Sequence, residues 1–434
     1  MMSRLCLTLA AALFAADLSA GDFLAGFARR DMDPPMGLSL QGYFEPRPAS
    51  GVLDPVQVNC VAVSDGHTKA VLLSLDLEAL HGLADEWRRR LAKTLAIDPG
   101  CVYVACTHTH TGPAFGPVET SWEIPVPSDP AFDARLYERV EACAADAIAD
   151  LAPAEIRVAR TECPGVSFIR RFRMRDGTIR TNPGIGNTNV VAAVCRPDES
   201  VQLVRFKRAG GDIALVNFAC HPDVIGGCKY SADWPGFVRR RVESVRPGSR
   251  CVFFNGAQGD SNHIDIRPEG RGKRGYGHSR WMGETVADAA LAVWDRAEAV
   301  PAGAVRGCVT GVRVPLRKSR TPGVRDPNKV EAYRLKMLAS KPDEYDVPVS
   351  TVVIGRSLAF AGLPGEPFSA IGRQVKAASV CRMTFFTCQT NGSFGYIPDA
   401  DSFGDACYEN TSTVFTPEST RRLVQSLSQA LSGL

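Results

Sequence analysis

The chain has 434 residues, 45% hydrophobic and 22% charged, which is the balance of a packed globular protein and not of a disordered, fibrous or coiled-coil one. Its 50 basic and 47 acidic residues leave a formal charge of +3, so no nucleic-acid partner is expected. No run reaches the roughly 20 apolar residues of a bilayer span, so no transmembrane segment is expected either.

The first 20 residues read as a targeting signal. Arg4 precedes the apolar run Leu5–Ala16, and Leu18-Ser19-Ala20 offers a small residue at the cut. The expectation is an exported protein, periplasmic or secreted, whose residues 21–434 form one domain. Of the 14 cysteines, none sits in a CxxC or paired zinc-type spacing, which argues against a redox motif or a Cys-rich metal site. Several lie inside apolar runs, as Cys60, Cys106 and Cys251 do, where cysteine serves as a small buried hydrophobe.

A Pro/Gly-rich stretch from Asp31 to Pro48 reads as loop. Alternation and β-branched runs predict strands at Val56–Val63, Ala70–Leu77 and Cys101–Cys106, with a helix at Ala84–Ala96 between the last two. Strand, helix, strand is the mark of an α/β unit. A helix is expected at Asp133–Leu151, then strands at Glu155–Ala159, Val201–Phe206, Asp212–Ala219 and Cys251–Asn255, and helices at Trp234–Val245 and Ser279–Arg296. The segment Ser167–Val191, rich in Arg, Gly and Asn, reads as a loop or lid over a site. Strands at Ala304–Pro315 and Val349–Phe360 flank a helix at Asn328–Ser340, and helices at Phe368–Ser379 and Glu418–Ser432 close the chain. No internal repeat or linker is evident. The expected fold is therefore α/β, a single large domain with a mixed β-sheet flanked by helices.

Only seven histidines occur, so their grouping is informative. CVYVACTHTHTGP places His108 and His110 two apart just past a strand, where an extended backbone would put both rings on one side. ALVNFACHPDVIGG carries His221 at the end of another apolar strand, although a lone His there is as readily a packed loop residue. CVFFNGAQGDSNHID ends a third strand in a polar turn holding Asn255, Gln258, Asp260, Ser261, Asn262 and His263. Three strands that each stop in a polar, His-bearing turn describe one functional edge of a sheet. LAFAGLPGEPFSAIG adds Glu366 between a strand and a helix start, where a carboxylate also suits the helix dipole. QTNGSFGYIPDADSFGDACYENTST places Tyr396 and Tyr408 in a Gly-rich loop.

Taken in order, HTHTGP, ACHP, SADWPG, NGAQGD, LPGE, GYIP and YENTST resemble the motifs of the neutral/alkaline ceramidase family's catalytic domain, over roughly Gly37 to Pro417. The resemblance implies a zinc-dependent hydrolase of a linear amide, with Zn²⁺ held by His108, His221, Glu366 and Tyr396. All three donor types suit zinc. It implies that His110 lies beside the scissile amide as proton carrier and that Arg170 and Tyr408 stabilise the oxyanion. Arg171 rivals Arg170, because Ile169 stands where the family has Asn. The family's Gly-Asp-Val-Ser-Pro-Asn segment becomes Gly259-Asp260-Ser261-Asn262-His263, which leaves no support for a serine nucleophile. Asn255, Asp260 and Asn262 are then the substrate-binding candidates. Ceramidases carry a β-sandwich domain after the catalytic one, and this chain resembles the short members lacking it. The implied substrate is an N-acyl lipid or another small acyl amide. A zinc-dependent esterase and a non-catalytic glycan- or lipid-binding member are the alternatives.

Overall fold

One succession of elements is laid down three times along the chain. First, β1 (Leu24–Asp31), β2 (Gln57–Ser64) and β3 (Lys69–Leu75) form an antiparallel meander. Then α1 (Ala84–Leu95) crosses over, β4 (Val102–Cys106) returns parallel to β3, and α2 (Pro130–Ala149) follows. The second unit repeats this with β5 (Glu155–Glu162), β6 (Ser200–Lys207), β7 (Ile213–Phe218), α3 (Asp233–Val245), β8 (Arg250–Asn255) and α4 (Gly275–Ala292). The third begins with β9 (Val305–Pro315), α5 (Lys329–Ala339), β10 (Glu344–Ile354) and β11 (Leu358–Gly362). It continues through α6 (Ser369–Ala378), β12 (Met383–Thr387), a short α7 (Tyr408–Ser412) and α8 (Pro417–Ser432). This computed structural model describes residues 23–116, 118–119, 125–270, 272–321 and 329–433. The predicted signal segment 1–20 and Asn328, where one helix was expected to start, lie outside the described residues.

Each sheet is thus antiparallel except for its last pair, and the crossover helix packs on its outer face. The third and fourth strands read as nearly unbroken apolar runs (VLLSL in β3, VYVAC in β4, IALVNF in β7, LAFAG in β11) because both of their faces are covered. The inner faces of the three sheets meet in a central core, with Leu72 and Tyr103 from the first, Leu215 and Phe254 from the second, and Phe360 and Phe385 from the third. Each outer face has its own helix-covered core, through Leu91 and Val140 in the first, Val238 and Val286 in the second, and Val375 and Leu427 in the third. Helix ends follow local chemistry. Asp129 caps α2 with Pro130 in its first turn, and Thr416 and Ser419 form a reciprocal cap on α8. No helix among the described residues is long and apolar enough to cross a membrane.

The α/β class holds, with three mixed sheets in place of one. The threefold plan escapes the sequence because the units share a path and not a residue pattern. The predicted strand Val349–Phe360 is two strands: the chain reverses at Gly355, whose φ is +54°, and β11 pairs antiparallel with β10. A period of two passes through so tight a turn almost unbroken. The expected loop Ser167–Val191 holds most of a small antiparallel sheet of Arg171–Met174, Ile179–Thr181 and Val190–Ala193. Its strands are short and charged, so no apolar alternation announces them. The sequence reading also lacks β1, which is interrupted by arginines, and β12.

Candidate metal centre and active site

The fourth strands of the three units end against one another, and their ends are tied in a ring. The Cys106 N–H donates to the Gln389 carbonyl (3.2 Å), and the Cys388 N–H donates to the Asn255 carbonyl (3.1 Å). The Asn255 side-chain amide closes the ring by donating to the Thr107 carbonyl (3.0 Å), and it also donates to the Cys220 carbonyl (3.1 Å). Two residues past β4 and β12, His108 and Gln389 take left-handed backbone conformations, φ +69° and +45°. Non-glycine residues hold such conformations only where the surroundings over-determine them, commonly at functional sites. His108 and His110 therefore do not share a side through an extended backbone. The turn at His108 brings the two rings edge to face, with centroids 4.9 Å apart.

The third strands supply the remaining groups from corresponding places. Glu78 and His221 lie three residues past β3 and β7, and Glu366 lies four past β11. His108 Nε2 stands 3.2 Å from His221 Nε2, 3.3 Å from His110 Nε2 and 3.3 Å from Glu366 Oε2. On its other side, His108 Nδ1 donates to the Glu78 backbone carbonyl (2.9 Å), which leaves Nε2 as the lone-pair nitrogen of the neutral ring. Glu366 Oε2 has no hydrogen-bond partner among the described residues, nor do the Nδ1 atoms of His110 and His221. Three imidazoles and a carboxylate thus converge on one point, and lone pairs so placed repel unless a cation or shared protons lie between them. The three histidines form one group able to hold a metal ion, and Glu366 forms a second with His108 and Glu78.

Burial favours neutral rings, the form that ligates metals. It lowers the His110 pKa, and it takes His221 well below its usual value with help from the Arg170 charge. At His108 burial is outweighed by Glu366 and Glu78, and the pKa rises to about 9. Glu78 would likewise be raised by burial, but His81, His108 and His110 hold it at about 2. Its carboxylate pairs with His81 (2.7 Å) and accepts from the Gln41 amide (3.0 Å). Sequence reasoning lacks Glu78 and Gln389. The polar LDLEAL that follows the apolar run of β3 has the same form as ACHP and LPGE and was the available signal for Glu78.

Tyr396 pairs with Glu366 in a parallel two-residue bridge. Both line a cavity of about 140 Å³ with His108, His110, Tyr43 and Tyr408. The Arg170 guanidinium lies 5.3 Å from the centre of the Tyr396 ring and is 2.6 Å from Glu409 Oε1. Burial raises the Tyr396 phenol well above its ordinary value, against the pull of Arg170. Arg171 faces the other way, to Asp405 and the Phe368 ring, so Arg170 is the arginine that reaches the site. Asp260 accepts from Ser369 N (2.7 Å) and Oγ (2.6 Å), which anchors the start of α6. Asn262 donates to Asn182 Oδ1 (3.0 Å) and accepts from the Ile264 N–H (2.9 Å). Neither they nor Asn255 is among the residues that line the cavity, and their side chains are engaged in holding the turns behind it.

His263, in the turn after Asp260, is buried, and neither ring nitrogen has a partner among the described residues. Burial pushes its pKa from 6.5 down to about 4. The contribution of the neutral ring to stability is therefore full above pH 6.5 and is lost as the pH falls towards about 4, a change of about 3 kcal/mol. His263→Leu is expected to match or exceed the wild type at neutral pH and to lose less stability on acidification. Urea unfolding at about pH 7 and about pH 4.5 checks this, and equal acid slopes in the two proteins would refute it.

No family model matches this sequence, and no curated protein matches it. Among solved structures, the chain is similar to neutral ceramidase from Pseudomonas aeruginosa, at 16% identity and a TM-score of 0.75 over 95% of this chain and 74% of that one. It is also similar to a ceramidase complexed with C2, at 16% identity and a TM-score of 0.73 over 95% of this chain and 75% of that one. The three-unit architecture built around His108, His221 and Glu366 has the fold of the neutral ceramidases.

Proposed function

We propose that this protein is a zinc-dependent hydrolase that cleaves a linear amide bond in a small or lipid-like acyl amide. The observation that carries the proposal is the convergence of His110, His221 and Glu366 on His108 Nε2 beside the cavity. The likeness to two ceramidases supports an amide as the bond cleaved. His108, His221, Glu366 and Tyr396 would hold the ion, and the orphaned Glu366 Oε2 suits that role. Bound there, zinc would supply Lewis acidity towards the substrate carbonyl and lower the pKa of water towards about 7. His110, kept neutral by burial, carries a proton to the leaving amine. Tyr408 lines the cavity and donates to the oxygen on which charge develops, while Arg170 holds positive charge behind Tyr396. Export through residues 1–20 belongs to the same reading, and N-terminal sequencing of exported protein would begin after Ala20.

Elemental analysis of the wild type beside His108→Ala and Glu366→Ala tests the centre. About one zinc per chain is expected in the wild type and far less in both variants, with circular dichroism unchanged. Acyl amides and not matched esters should be turned over. Wild type that is purified without chelators and holds no metal would overturn the proposal.

A further inference from the structure

Arg334, on α5, lines the cavity beside Tyr408. Of the other charged groups there, Glu78 is answered by His81 and Gln41 and Arg170, behind them, by Glu409, while Glu366 faces the three histidines of the candidate metal centre. Arg334 has no ion pair among the described residues, and its Nε is buried without a hydrogen-bond partner. The cavity's other walls include Leu40, Tyr43, Phe44 and Val126, an apolar and aromatic surface suited to an acyl chain. A partly buried guanidinium in such a wall is costly unless an anion meets it, and its planar fork matches a carboxylate in two parallel hydrogen bonds. No second unpaired cation lines the cavity among the described residues, which favours a monoanionic carboxylate over a phosphate.

We propose that Arg334 determines specificity by binding a carboxylate on the amine half of the substrate, so that the amide cleaved is that of an N-acyl amino acid. This rests on the amide-hydrolase reading above. In the reaction the C–N bond breaks, the acyl carbon takes the hydroxyl of water, and nitrogen takes the proton, releasing a fatty acid and an amino acid.

The test uses zinc-loaded enzyme with N-lauroylglycine, N-lauroylethanolamine and N-lauroylphosphoethanolamine, which share one acyl chain. Wild type is expected to favour the glycine conjugate by about ten-fold or more in kcat/KM. In Arg334→Met that preference should collapse towards unity through KM, with kcat for the glycine conjugate little changed, and Arg334→Lys should restore part of it. Equal kcat/KM for glycine and ethanolamine conjugates in the wild type would overturn the proposal, as would an unchanged KM in Arg334→Met. A preference for the phosphate conjugate would overturn the carboxylate assignment. If the metal-loaded wild type cleaves none of the three, the amide-hydrolase reading is what has failed. Calorimetric binding of N-lauroylglycine then decides on Arg334: about ten-fold weaker binding by Arg334→Met upholds its role, and equal binding overturns it.

Discussion

Gly259→Ala is expected to lose bound metal and to lower kcat/KM by about a hundred-fold or more, although residue 259 carries no ligand atom. A Cβ at Gly259 would stand 2.2 Å from the Glu366 carbonyl oxygen, 2.8 Å from its carbon and 3.0 Å from the Pro367 oxygen. These neighbours are backbone, so no flexible side chain can yield. The Gly259 N–H donates to the Pro367 carbonyl (2.9 Å), which shows how closely the two turns are laid together. The Gly259 carbonyl also accepts from the Arg170 guanidinium (2.8 Å), so a shift of the turn in the other direction displaces Arg170. Whichever side moves, a site group goes with it. The overpacking itself costs about 1–3 kcal/mol, so the variant should still fold. Metal content and kinetics at wild-type levels would show that Glu366 is not held where the argument requires.

The second large effect concerns stability. Arg239→Met is expected to destabilise the protein by about 3–5 kcal/mol, because it leaves the Asp76 carboxylate charged and buried. The two side chains are 1% and 0% exposed and joined by two parallel hydrogen bonds of 2.9 and 2.6 Å. The pair fastens α3 of the second unit to the end of β3 in the first. Asp76 also accepts from the Gln57 N–H (2.9 Å), and the His108 N–H donates to the carbonyl of the adjacent Leu77 (2.9 Å). The candidate metal centre is thus loosened along with the fold. Urea unfolding measures the loss, and the double variant Arg239→Met/Asp76→Leu is expected to recover part of it because no charge is then stranded. A loss below about 1 kcal/mol in the single variant would mean that the pair holds little.

The two effects bear on how much of this protein can be read without its structure. Periodicity and turn chemistry are local, so the α/β class and most helices are legible in the residues themselves. The turns carrying His108, His221, Glu366 and Tyr396 are legible too, because in all but the last an apolar strand breaks off into a short polar segment. The choice between Arg170 and Arg171 is not, since the two adjoin at the start of the short strand Arg171–Met174 and only their distant partners, Glu409 for one and Asp405 for the other, tell them apart. Asn255 and Asp260 have the composition of substrate contacts, yet their bonds show them tying strand ends and a helix start together. Glu78 and Arg334 at the cavity and Gln389 behind His108 come from distant parts of the chain, and nothing in their own neighbourhoods says that they meet at one site.

By itself, then, the sequence determined the class of fold and the set of turns able to do chemistry, because both arise from interactions within a few residues. Which turns face one another, and which polar side chains brace the site instead of lining it, only the tertiary structure decided. Those answers depend on three similar sheets packing inner face to inner face, with the ends of their fourth strands brought together. That meeting is made by contacts between residues a hundred or more positions apart, such as Thr107 with Asn255 and Asn255 with Cys388.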